Sequence, residues 1–227
     1  MSRGFGLIAA ALVAAAPTIA VTAPAARDWS HTVTATAEGG YVLGNPAARV
    51  KLVEYLSFTC SHCAHFAAEA MPALTAHYVK AGLVSIEPRH ALRDPADFAA
   101  ALLTRCAGPS HYFAAAARVF AHQETWFSAL ATYEKANETR LKTMPRDTLL
   151  TALADGAGLP ALAGVAPARV KVCIASKAEQ ERLGKMANEA WGERKIRGTP
   201  AFLLNGVLLD DTADWETLKP KIDAALR

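Results

Sequence analysis

Thr59-Cys60-Ser61-His62-Cys63 constrains this chain more than any other stretch. It follows a mostly apolar run, Val50 to Phe58, and opens an Ala-rich segment with helical spacing. Two thiols separated by two residues at a strand-to-helix junction make a redox pair by geometry. The first sulfur sits where the unpaired N–H groups and the positive end of a helix favour a thiolate. The second lies one turn deeper, close enough to close a small disulfide ring. The remainder of the chain has to provide a buried strand, a helix start and a compartment suited to such a pair.

The flanking pattern supplies the first two. Val50-Lys51-Leu52-Val53-Glu54-Tyr55-Leu56 is nearly continuous in apolar and β-favouring residues and reads as a strand buried on both faces, in which Glu54 is out of place. From Cys60 to Lys80, Phe66, Ala70, Leu74 and Tyr78 recur every fourth residue as one helix face, with Pro72 expected to kink it and Gly82 to end it. Val84 to Glu87 then reads as a strand, so the order strand, helix, strand implies parallel pairing through a right-handed crossover. Upstream, His31 to Thr36 alternates like a strand, and Tyr41 to Leu43 forms a short second one after Glu38-Gly39-Gly40.

Between Ala91 and about Lys177 the spacing predicts helices only: Pro95–Cys106, Ser110–Phe120, Trp126–Lys142, Pro145–Ala154, and one or two short ones over Leu159–Ile174. No fixed period recurs, so this is a helical block rather than a repeat array. A charged helix from about Ala178 to Arg194 leads back to Arg197-Gly198-Thr199-Pro200-Ala201-Phe202. Asn205-Gly206 between apolar runs is a strong hairpin signal. A last helix starts at Asp214, a good N-cap, with Trp215, Leu218, Ile222 and Leu226 on one face.

The 227 residues are 52% hydrophobic and 20% charged, with a net charge of +3, so the chain can bury an ample core. No Lys/Arg run or basic stretch interleaved with aromatics is present, which argues against nucleic acid as a partner. Residues 1–26 read as an export signal: Arg3, then the apolar core Phe5 to Ala16, then Ala23-Pro24-Ala25 as a small-residue cleavage site. An uncleaved anchor is disfavoured, because the segment is mostly Ala and is broken by Pro17, Thr18, Thr22 and Pro24. Export to a periplasmic, oxidising compartment makes the even cysteine count meaningful. Cys60, Cys63, Cys106 and Cys173 allow three pairings; ring closure across a helix start favours Cys60 with Cys63, leaving Cys106 with Cys173.

No metal or cofactor is expected. Zinc would need two ligands beyond Cys60 and Cys63, and His62 and His65 on the same helical turn cannot readily complete a tetrahedron. Covalent haem needs His directly after the second Cys, where Ala64 stands. His77, His90, His111 and His122 lack partners at metal spacing and read as surface or interface residues, and Trp126, Trp191 and Trp215 as core or seam anchors.

Taken together, Glu54 to Cys63, the helix with Phe66, Glu69 and Pro72, and Arg197 to Phe202 resemble the thiol:disulfide oxidoreductases of the DsbA type. The resemblance covers essentially the whole mature chain. It implies an α/β, thioredoxin-like fold with an inserted all-helical subdomain, its parts at 27–90 and 178–227 separated by the insertion at 91–177. The dipeptide is Ser61-His62 where well-known members have Pro-His, and Thr199 before the proline is a choice more like that of disulfide isomerases.

In that frame Cys60 is the expected nucleophile, its thiolate stabilised by the helix start and by His62. Cys63 is the resolving thiol, and Glu54, a carboxyl in a buried strand, is the expected proton exchanger. Thr199-Pro200 is expected as a cis peptide against the pair, turning the adjacent backbone outward to meet a substrate peptide as an added strand. Cys106–Cys173 is expected as a structural disulfide contributing about 4 kcal/mol in the chain-entropy model.

The expected activity is introduction of disulfides into reduced or unfolded secreted proteins, with reoxidation by a membrane quinone-linked partner. The alternatives are a disulfide reductase or isomerase, and a copper-delivery module using Cys60, Cys63 and His65, against which the scarcity of methionine speaks.

Overall fold

The computed structural model describes Met1 and residues 27–227; the expected export signal lies outside the described residues. Six strands form one sheet: β1 (Val33–Ala35), β2 (Tyr41–Leu43), β3 (Val50–Leu56), β4 (Val84–His90), β5 (Ala201–Leu204) and β6 (Val207–Leu208). Their order across the sheet is β1-β2-β4-β3-β5-β6, with β3 and β4 parallel and the other pairs antiparallel. β4 runs three residues past the expected Glu87, through Pro88 to His90, because it pairs with β3 along its whole length. The β5–β6 hairpin turns at Asn205 and Gly206, both with positive φ (50° and 84°), the backbone that a tight two-residue hairpin requires.

Helix α1 (Ser61–Leu74) runs from the end of β3 and continues in one π-helical turn, Thr75–Val79. Pro72 sits inside α1, the departure from regular α geometry follows in the next turn, and Gly82, at φ 75°, closes the segment as expected. α1 packs on one sheet face together with α9 (Trp215–Ala225), whose N-cap Asp214 accepts the Thr217 N–H at 2.9 Å. Val50, Leu52, Phe66, Ala70, Leu74, Ile86, Phe202, Leu218 and Ile222 form that core. On the opposite face Tyr55 and Leu203 meet Ala190 and Ile196, from the segment that follows α8 (Lys177–Asn188). The expected single helix to Arg194 is thus α8 plus a π-helical turn, Glu189–Glu193, which aims Glu189 at the Arg89 guanidinium (2.6 Å) and the Tyr55 hydroxyl (2.8 Å).

Between β4 and α8 lie six helices: α2 (Pro95–Cys106), α3 (Pro109–Ala121), α4 (Gln123–Leu141), α5 (Arg146–Gly156), α6 (Leu159–Ala163) and α7 (Pro167–Ile174). Proline at the first or second position of α2, α3, α6 and α7 explains several of these starts, since its missing N–H would be unpaired there anyway. Their shared core holds Leu102, Leu103, Phe120, Trp126, Leu150 and Ile174, and it extends to Phe58, Cys60 and Cys63. The thiol pair therefore packs in the core of the helical block, at its border with the sheet.

Candidate active site

Cys60 is the N-cap of α1, with extended backbone (φ −96°, ψ 118°), so Cys60 lies just before the first helical turn and Cys63 within it. Both thiols are free and buried. The Cys63 S–H donates to the Cys60 sulfur, and the Thr199 hydroxyl and the backbone N–H groups of Cys63 and His62 add to it. Against the cost of burial, these hydrogen bonds bring the Cys60 thiol down to about 5. Cys63 moves the other way: burial, its bond to Cys60, and the charges of Glu54 and Cys60 hold it far above the ordinary thiol range. One sulfur is thus a stable thiolate at neutral pH, and its partner keeps its proton.

The expected support from the His62 ring is not found: the side chain is exposed and makes no hydrogen bond among the described residues, and His62 contributes through its backbone N–H alone. Thr199 and Pro200 are joined by a cis peptide bond just before β5, and the Cys60 sulfur lies 3.0 Å from the Thr199 carbonyl oxygen. The two ends of the chain meet at that contact.

Strand alternation places Glu54 on the α1 side of β3, between Leu52 and Leu56, opposite Pro88 of β4 and Phe202 of β5. It is only 5% exposed. Burial, with the negative charge of Cys60 adding to it, pushes its carboxyl up to about 8. Glu54 borders a groove of about 1080 Å³ between α1 and α3, lined by Ala64, Ala67, Met71, Phe113, Ala116 and Phe120. A carboxyl so placed holds its proton at neutral pH within reach of the Cys60 charge.

Several side chains at the site carry no motif. Asp97 of α2, fully buried, accepts the Phe58 N–H at 2.8 Å and the Arg93 N–H at 3.0 Å, and burial raises its carboxyl to about 7. Asp94, the N-cap of α2, accepts the Thr59 hydroxyl at 2.5 Å. Gln123, at the start of α4, donates to the carbonyls of Phe58 and Cys60. The Asp94-Pro95-Ala96-Asp97 run signals a helix start, but nothing in it points to residues 57–60, and a lone Gln signals nothing.

Two further expectations from the sequence are corrected or narrowed. His90 is not a surface residue: it is completely buried at the end of β4, where Nε2 meets the Tyr112 hydroxyl at 3.1 Å and Nδ1 has no partner. Burial holds it neutral, well below the ordinary histidine range. Trp191 is 38% exposed, so it is a seam rather than a core anchor: its indole N–H donates to the Leu92 carbonyl at 3.1 Å and ties the segment after α8 to the start of the insertion, whereas Trp126 is buried. His65 faces Glu69 at 3.4 Å, and among the described residues no three His, Cys, Asp or Glu side chains converge as metal ligands do. Cys106, the last residue of α2, is bonded to Cys173 of α7, with the Cα atoms 5.5 Å apart.

Comparison with known proteins agrees with this geometry. A family model described as thioredoxin matches residues 36–224. The crystal structure of a protein-disulfide isomerase from Novosphingobium aromaticivorans is 34% identical and superposes with a TM-score of 0.76, covering 82% of this chain and 96% of that one. The alpha-DsbA1 of Wolbachia pipientis shares the fold at 22% identity and a TM-score of 0.64, over 85% of this chain and 93% of its own. A curated protein of Rickettsia typhi, provisionally named a protein-disulfide oxidoreductase, is 28% identical over 82% of this chain. The chain spans about three-fifths of the length of the curated relatives it matches. On the family match across residues 36–224 this chain belongs to the thioredoxin family, and it shares its fold with a DsbA-type structure.

Proposed function

We propose that this chain is an exported disulfide donor that passes a Cys60–Cys63 disulfide to pairs of thiols in reduced secreted proteins. A substrate thiolate attacks the Cys60 sulfur, the Cys60–Cys63 bond breaks, and Cys63 leaves with the bonding electrons and takes up a proton. Glu54, protonated at neutral pH and close enough for its charge to act on Cys63, is the donor for it. A second substrate thiolate then attacks the substrate sulfur of the mixed disulfide, expelling Cys60 as a thiolate. The substrate loses two electrons and the enzyme gains them. Thr199-Pro200 lines the approach, and Cys106–Cys173 staples the insertion without entering the exchange. Residues 27–90 and 178–227 act as one unit interrupted by the insertion at 91–177, released into the periplasm after removal of residues 1–26. Reoxidation by a membrane quinone-linked partner completes the cycle.

The observation that carries this direction is the stabilised Cys60 thiolate. A thiolate favoured in the reduced form makes the disulfide a stronger oxidant, and a better leaving group in the second step. With Cys60 at about 5 against an ordinary 9.0, roughly two pH units of that shift act at pH 7, on the order of 60 mV toward oxidation. Equilibration with glutathione buffers tests it: the expected potential is more oxidising than the roughly −270 mV of thioredoxin, and a value at or below that sinks the donor reading.

An isomerase is the second reading, favoured by Thr199 and by the name of the Novosphingobium relative. It requires that the reduced protein reshuffle a scrambled substrate faster than the oxidised protein oxidises a reduced one.

A further inference from the structure

We propose that Gln123, contributed by the helical insertion, is a positioning residue for Cys60. It is 6% exposed, and its amide nitrogen donates to the Phe58 carbonyl at 2.8 Å and the Cys60 carbonyl at 3.0 Å. Asp97 takes the Phe58 N–H at 2.8 Å, so both polar groups of that residue's backbone are bound by side chains of the insertion. The Cys60 carbonyl also accepts the Ala64 N–H at 3.2 Å, the first α-type bond of α1. Gln123 therefore holds the turn at the point where extended chain becomes helix.

The orientation of that turn decides whether the N–H groups of His62 and Cys63 aim at the Cys60 sulfur. These N–H groups are fixed to the backbone and cannot reorient without moving the turn. The sulfur has no direct contact with Gln123 among the described hydrogen bonds, so the effect runs through backbone geometry. Two amide hydrogens from one planar group also fix two carbonyls at once, which a single hydroxyl in the same place could not do. The inference rests on Cys60 being the sulfur that exchanges, but its readout does not require exchange.

The test is the titration of the reduced protein followed by thiolate ultraviolet absorbance and by the rate of alkylation at Cys60. Only one thiolate forms in the accessible range, because Cys63 keeps its proton. In Gln123→Met, which keeps the length and loses both donors, the titration midpoint should rise by about one pH unit, with a proportionate loss of alkylation rate below the parent's midpoint. Gln123→Leu, also without a donor and adding no charge that would itself raise the midpoint, should shift it the same way, and it serves if the Met variant does not fold. A cooperatively unfolding variant whose midpoint stays within a few tenths of a pH unit of the parent overturns the proposal. Should the parent show the low midpoint yet oxidise no dithiol substrate, the donor reading fails while the role of Gln123 stands.

Discussion

Cys60 and Cys63 are three positions apart, free and buried, with their acidities driven apart by hydrogen bonding and burial. Cys106 and Cys173 are 67 positions apart and bonded, and among the described residues only Arg169, at 4.0 Å from Cys106, is hydrogen-bonded to either sulfur. Both pairs border the same helical core. The difference shows that a cysteine pair's chemistry is set by what faces the sulfurs: helix N–H groups, a neighbouring thiol and a buried carboxyl at the first pair, apolar packing at the second. It also separates two kinds of stabilisation. The long-range bond limits the unfolded chain, whereas the short-range pair stabilises one redox state of the folded protein over the other.

The largest expected effect falls on the first pair. Cys60→Ser should abolish oxidation of a reduced model protein, and Cys63→Ser should trap a mixed disulfide with substrate, visible on a non-reducing gel. Turnover surviving in Cys60→Ser would transfer the chemistry elsewhere. In the parent, alkylation of Cys60 should rise through a midpoint at about 5 and then level off, falling about 100-fold by pH 3, where an ordinary thiol would still be climbing at pH 9. Next comes the second pair: Cys106→Ser with Cys173→Ser should lose about 4 kcal/mol of stability in denaturant titrations and keep its exchange rate. Loss of exchange in a folded double variant would erase the contrast between the pairs.

A smaller, pH-dependent effect belongs to Glu54. Its folded-state pKa is raised from 4.5 to about 8, so the native state binds a proton there that the unfolded chain has released. That proton costs stability as pH climbs across this window, by at most about 1.4 kcal/mol per pH unit. Glu54→Gln stays neutral, so in the oxidised protein it should gain on the parent between pH 5 and pH 8 and slow the release of Cys63. Equal denaturation midpoints at both pH values would place the Glu54 carboxyl in water. The smallest effect is expected at Tyr112→Phe, which leaves the His90 ring without its hydrogen bond and should cost about 1 kcal/mol in thermal or denaturant unfolding.

Much of this was legible in the chain because it depends on neighbours in sequence. The helix start at Cys60, the proline-led helices of the insertion, the cap at Asp214 and the turn at Asn205-Gly206 follow from backbone preferences a few residues wide. The buried strand around Glu54 was legible too, since its neighbours are apolar on both sides. Hidden were the residues whose role depends on distant packing. Asp97 and Gln123 meet the turn before α1 from 39 and 63 to 65 positions away, and His90 finds Tyr112 only once α3 lies across the sheet. A lone Gln or His carries no periodicity, cap or spacing that reveals such a contact.

By itself, then, the sequence determined that a thiol pair would stand at a helix start after a buried strand, because three or four residues of local geometry suffice for that. The same local geometry marked Cys60 as the thiolate; only the tertiary structure decided how far the acidities of Cys60, Cys63 and Glu54 would move, and that the insertion would grip the turn. Each of those depends on which groups exclude water from a sulfur or a carboxyl and which donate to it, and packing alone brings those groups together.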